Sequence, residues 1–195
     1  MGRTGECARE TNETKIFVTI NLDGDGKTDI DTGIGFFDHM LNSFARHGLF
    51  NLSVKVTGDL HVDCHHTIED TGIALGVAIR NALGDKKSIN RYGSIMLPMD
   101  ETLALCALDL SNRPYLVFDA EFTTDRVGYF DTEMVKEFFY ALTYTIGMNL
   151  HLKILNSGNN HHMIEALFKA FGKSLDEATR INDRINGVLS TKGTL

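Results

Sequence analysis

A chain of 195 residues with a net charge of −7 can bury roughly 70% of the surface its unfolded form exposes, so its core needs no disulfides. The acidic balance disfavours a nucleic-acid partner, whose phosphates call for clustered Lys and Arg, yet a few converging cations can still hold a small anionic substrate. No apolar run reaches 18 residues and no basic segment precedes an apolar one at the N-terminus, which predicts a cytoplasmic protein with no membrane partner.

In chain order, Ile16, Val18 and Ile20 alternate along a half-buried strand over 15–21. Asp23-Gly24-Asp25-Gly26 then reads as the turn of a hairpin with a short strand near 28–31. The same stretch is a poor calcium loop, because Thr32 stands where a bidentate Glu is needed. Phe37, Leu41, Phe44 and Ala45 recur at helical spacing over 36–47, and Gly48 suits the end. Leu52, Val54 and Val56 alternate as a strand, followed by a turn at 57–59. Ile68, Gly72, Leu75, Ile79 and Leu83 form one stripe of a helix ending at Gly84, and Lys86 and Lys87 fall in a polar connector read as solvated. Strands over 103–110 and 115–122 are joined at Ser111-Asn112-Arg113-Pro114. A helix over 133–147, a strand at 150–154 and a helix over 163–180 complete the chain.

The second half repeats the first. His65-His66-x-x-Glu69 and His161-His162-x-x-Glu165 lie 96 positions apart, while Asn51-Leu52 and Asn149-Leu150 differ by 98. The expected fold is α/β, of α+β sandwich type: a duplicated helix-strand-strand-helix half whose sheets pack against paired helices. One catalytic domain spans 1–195, with halves of about 1–92 and 93–195. The offset of 98 also sets Glu137 opposite His39, each about four residues into the shorter helix of its half.

These residue types suit metal chemistry. Residues i and i+4 of a helix share a face, so His65 with Glu69, and His161 with Glu165, can each reach one ion. Adjacent histidines diverge by about 100° on a helix, so His65-His66 and His161-His162 are better placed to serve two ions. Imidazole and carboxylate without thiolate favour manganese, iron or zinc over calcium or magnesium. Cys7, Cys64 and Cys106 have no C-x-x-C spacing and are expected to be free thiols, with Cys64 packed near the site.

Three stretches, 32–41 (Thr-Gly-Ile-Gly-Phe-Phe-Asp-His-Met-Leu), 64–75 (Cys-His-His-Thr-Ile-Glu-Asp-Thr-Gly-Ile-Ala-Leu) and 160–170 (Asn-His-His-Met-Ile-Glu-Ala-Leu-Phe-Lys-Ala), give the chain its resemblance to imidazoleglycerol-phosphate dehydratase. The resemblance implies a manganese enzyme of histidine biosynthesis with two Mn2+ per active site. Such an enzyme removes water from imidazole glycerol phosphate to give imidazole acetol phosphate, in a 24-subunit shell with active sites between chains. It implies His39, His65, His66, Glu69, His161, His162 and Glu165 as metal ligands. Glu137 stands where many members carry histidine, in Lys136-Glu137-Phe138-Phe139, with His151 as a nearby alternative. The resemblance further implies Glu13 as the catalytic carboxylate, and Arg91, Arg113, Lys169, Ser190 and Lys192 as binders of the substrate phosphate. A metal-storage protein and a dinuclear phosphate-ester hydrolase are the competing readings. Storage has no use for Arg91 and Arg113, and hydrolysis would release free phosphate.

Overall fold

The structure, a computed structural model, describes residues 2–195. Its first half runs β1 (Thr4–Glu10), β2 (Thr14–Asn21), β3 (Thr28–Asp31), α1 (Gly35–Gly48), β4 (Asn51–Gly58) and α2 (His65–Leu83). The second runs β5 (Tyr92–Met99), β6 (Thr102–Asp109) and β7 (Tyr115–Asp119), then the small ribbon β8 (Arg126–Val127) and β9 (Phe130–Asp131), then α3 (Met134–Ile146), β10 (Asn149–Asn156) and α4 (Asn160–Thr179). The two main sheets have the same plan, β1-β2-β4-β3 and β5-β6-β10-β7. The fold is therefore the expected α/β duplication, but each half has one strand between its helices where two were expected. Residues 59–64 form turns in place of a second strand.

One expected hairpin is also replaced, since β3 pairs in parallel with β4 and not with β2. In the second half β7 likewise pairs in parallel with β10. β2 pairs antiparallel with β4 and β1, and β6 with β10 and β5, where β1 and β5 are two strands whose alternation was too weak to read. Pairing of this kind is decided by which apolar faces meet across the core.

Alternate residues of β2 (Ile16, Val18, Ile20) and β6 (Ala104, Cys106, Leu108) are buried toward the helices. Helix α2 lies on β1 and β2, and α4 on β5 and β6. The helices then cross between halves, with α2 packed on α3 and α1 on α4. Phe37 and Phe44 of α1 meet Phe138 of α3 and Phe171 of α4, each pair at a centroid distance of 5.4 Å, joining both halves in one core. Close strand–helix approach depends on Gly5 and Gly93, where a Cβ would meet the carbonyl oxygens of Ala78 and Ser174, each at 1.9 Å. The α2–α3 contact sets Gly72 against Phe138 and Gly76 against Leu142 and Thr145, so these helices run side by side in the same direction. Histidines at the start of one helix thereby come level with the start of its neighbour. Among the described residues, no helix is long and apolar enough to cross a membrane.

Candidate active site

The N-terminal turns of α2 and α4 carry the repeated clusters. In each, the first histidine turns toward the glutamate one turn on: Nε2 of His65 lies 3.3 Å from Oε2 of Glu69, and Nε2 of His161 lies 3.3 Å from Oε2 of Glu165. The second histidine diverges, its ring 69° from its neighbour in the first pair and 80° in the second. His39 on α1 completes one cluster, its Nε2 3.6 Å from Oε2 of Glu165. Donor atoms of His39, His161 and Glu165 all lie within 4.8 Å of one another, a spread that one ion bound through nitrogen and oxygen can span. Glu165 is buried, and its other oxygen accepts from Nζ of Lys169 at 2.8 Å. Burial raises the Glu165 pKa, but Lys169, His39 and His161 outweigh it and leave the carboxyl below its ordinary range.

The other half is less closed. Glu137 occupies the place on α3 that His39 has on α1, in the first helical turn and half-buried. Among the described residues, however, it joins no group of three ligand atoms with His65 and Glu69. His151 lies on β10 between the buried Leu150 and Leu152, so its exposed side chain is on the sheet face away from the helices.

Glu13 sits in the β1–β2 turn, half-exposed, with Oε1 3.6 Å from Nε2 of His66. Nδ1 of His66 faces Asp59 at 3.0 Å, a hydrogen bond that raises the imidazole pKa. His162 has acidic neighbours as well: Glu101 lies 3.0 Å from Nδ1 and Asp100 3.8 Å from Nε2. The backbone N–H of Asn159, its own backbone amide and His162 together draw Glu101 down to about 2.

At the far end of α4 lies a cavity of about 730 Å³ that brings together Arg91, Arg113, Ser190 and Lys192. Arg91 is buried and anchored, its Nε and Nη2 donating to Asp109 at 2.6 and 2.9 Å and its Nη1 to the Leu189 carbonyl at 2.6 Å. Arg113 is exposed at the rim. Lys86, expected in solvent, is buried, and donates to the Leu110 carbonyl and to Oδ1 of Asn112, bracing the loop that presents Arg113. Four of the five expected phosphate-binding residues thus share one cavity. The fifth, Lys169, is beside Glu165 instead, because it follows that residue by one turn on the same helix face.

Asp59, Asp109 and Glu101 escaped the sequence reading. Asp59 and Asp109 carry no periodic signal. Glu101 had one, since Glu101-Thr102 repeats Glu13-Thr14 at an offset of 88, set by the hairpins and not by the helices.

Fold and site together define a duplicated α/β enzyme with paired histidine–carboxylate clusters. The family model described as Imidazoleglycerol-phosphate dehydratase matches residues 32–175. The imidazoleglycerol-phosphate dehydratase of Lachnoclostridium phytofermentans is 62% identical over 195 residues, all of both chains. That of Streptococcus mutans is 61% identical over 99% of this chain and 100% of its own. The crystal structure of the Staphylococcus aureus enzyme superposes with a TM-score of 0.83 at 38% identity, over 92% of this chain and 99% of that one. The Pyrococcus furiosus enzyme gives 0.83 at 37%, over 96% and 99%. The chain belongs to the imidazoleglycerol-phosphate dehydratase family, hydro-lyases of histidine biosynthesis.

Proposed function

We propose that the chain converts imidazole glycerol phosphate to imidazole acetol phosphate and water in the cytoplasm, at a centre holding two Mn2+ ions between neighbouring copies of itself. The observation that carries this is a separation. His161 and Glu165 begin α4, while the cavity of Arg91, Arg113, Ser190 and Lys192 lies where Arg91 N–H meets the Ala178 carbonyl, near its end. Thirteen helical residues, about 20 Å, divide them, too far for one small substrate to touch both within one chain. The diverging His66 and His162 likewise face outward from their own clusters. Both facts favour sites completed by a second copy, and the 24-subunit shell implied by the resemblance supplies such copies. The two repeated halves act as one catalytic unit.

The donor set fits the metal. His39, His161 and Glu165 would hold one ion, and His65 with Glu69 the other, with Glu137 closing that half and His66 and His162 reaching from a neighbouring chain. Bound there, the ions supply Lewis-acid stabilisation of the electron-rich, deprotonated imidazole ring of the substrate. Within this frame the chain's own groups do the rest. Arg91 and Arg113 offer planar forks to phosphate oxygens, Ser190 a hydroxyl and Lys192 a point charge. Lys169 approaches the same phosphate from the metal side. Glu13 removes the proton from the carbon next to the one that loses hydroxide. Departure of that hydroxide as water leaves an enol, which becomes the ketone.

Manganese-loaded protein should turn imidazole glycerol phosphate into the ketone. Free phosphate as product would favour a hydrolase instead, and no reaction a storage protein. Glu13→Gln should bind substrate and metal yet turn over at least a hundredfold more slowly; near-normal turnover rejects Glu13 as the base.

A further inference from the structure

The duplication extends to the hairpins beside the clusters. Gly5, Glu13 and Thr14 on the first hairpin correspond to Gly93, Glu101 and Thr102 on the second, all 88 positions apart. The register agrees, with Gly5 opposite Ile20 and Gly93 opposite Leu108. Glu101 is therefore the counterpart of Glu13, and each stands beside a counterpart imidazole. They meet different atoms of it. Glu13 approaches Nε2 of His66 at 3.6 Å, because Asp59 already occupies Nδ1 at 3.0 Å. Glu101 instead takes Nδ1 of His162 at 3.0 Å, while its Oε1 accepts the backbone N–H of Asn159 at 2.6 Å.

The difference has a cause in the chain. Six residues, 59–64, join β4 to α2 and include Asp59, whereas three residues, 157–159, join β10 to α4 and include no acid. The shorter link leaves Nδ1 of His162 open to the hairpin. Gly158 makes room for the contact, since a Cβ there would lie 2.0 Å from Oε1 and 2.5 Å from Cδ of Glu101. A carboxylate only accepts hydrogen bonds, so at Nδ1 it requires the ring hydrogen there and leaves the Nε2 lone pair for a metal.

We propose that Glu101 is a positioning residue that fixes the tautomer and aim of His162, as Asp59 does for His66, leaving Glu13 alone of the two hairpin glutamates free to act on substrate. This rests on His162 being a metal ligand, as read above. Manganese titration of the full-length protein, followed by electron paramagnetic resonance of free Mn2+, separates the two layers. His162→Ala should lose one class of binding site; unchanged binding there overturns the ligand reading and the proposal with it. Given that loss, Glu101→Ala should weaken the same class by 10- to 100-fold, on the order seen when a carboxylate supporting a metal-bound histidine is removed. Gly158→Ala, which displaces the carboxylate without deleting it, should do likewise. Glu101→Gln keeps an acceptor for Nδ1 and should recover part of the affinity, while Glu13→Gln should bind manganese as the unsubstituted protein does. Binding within twofold of the unsubstituted protein in Glu101→Ala, beside clear loss in His162→Ala, overturns the positioning role.

Discussion

Asp70 ties the hairpin that carries Glu13 to helix α2, and its removal should loosen both fold and site. The buried carboxylate accepts from Oγ1 of Thr14 at 2.5 Å and from Nη2 of Arg9 at 2.8 Å. Hydrogen bonds to a charged group are worth about 1.5–3 kcal/mol when shielded. The Thr14 bond is shielded, because Thr14 is 3% exposed. The Arg9 side chain is 34% exposed and can rehydrate, so its share falls to about 0.5–1 kcal/mol. Asp70→Ala should therefore cost roughly 2–4 kcal/mol, and for a chain of this size lower the melting temperature by about 4–16 °C. Calorimetry of the metal-free protein measures this. The double variant with Thr14→Val should recover about 1–2 kcal/mol of coupling. Because Glu13 adjoins Thr14, turnover should fall ten- to a hundredfold as the base drifts. A melting point within 2 °C of the unsubstituted protein, or strictly additive losses, would refute the reasoning.

Two further outcomes follow from the anion cavity. Burial, only partly offset by Asp109, pulls Lys86 from 10.5 to about 8. A cation with a depressed folded pKa penalises folding below that pKa, and the penalty lifts as pH rises toward the unfolded value. The unsubstituted protein should thus gain about 2–3 kcal/mol over Lys86→Met between pH 7 and 10 in denaturant unfolding; a constant difference would show that the ammonium is not desolvated. Arg91→Lys removes the two parallel hydrogen bonds to Asp109 and the planar fork, so KM for substrate should rise at least tenfold while manganese affinity is kept. An unchanged KM would remove Arg91 from the phosphate clamp.

All four long helices were legible because their apolar stripes are continuous and end in glycine or a change of polarity. The two His-His-x-x-Glu clusters were legible because i and i+4 geometry is local, and the structure places each His–Glu pair at 3.3 Å. Matching the halves paired His39 with Glu137, but only the fold brings His39 of α1 to His161 and Glu165 of α4. What failed was non-local. Lys86 reads as polar in any window, and only the fold brings the Leu110 carbonyl and Asn112 to it.

The sequence by itself determined the four helices, most of the inner strands, the duplication and the two histidine–glutamate clusters, since periodicity and residue chemistry act over a few positions along the chain. Tertiary structure alone decided that β3 and β7 pair in parallel with β4 and β10, because strand partners are chosen by apolar faces brought together across the core. It also decided that one of two equivalent glutamates, Glu101, meets Nδ1 of its histidine at 3.0 Å while Glu13 stands 3.6 Å from Nε2 of its own. That difference arises from a link three residues shorter between β10 and α4 than between β4 and α2, and from the room left by Gly158.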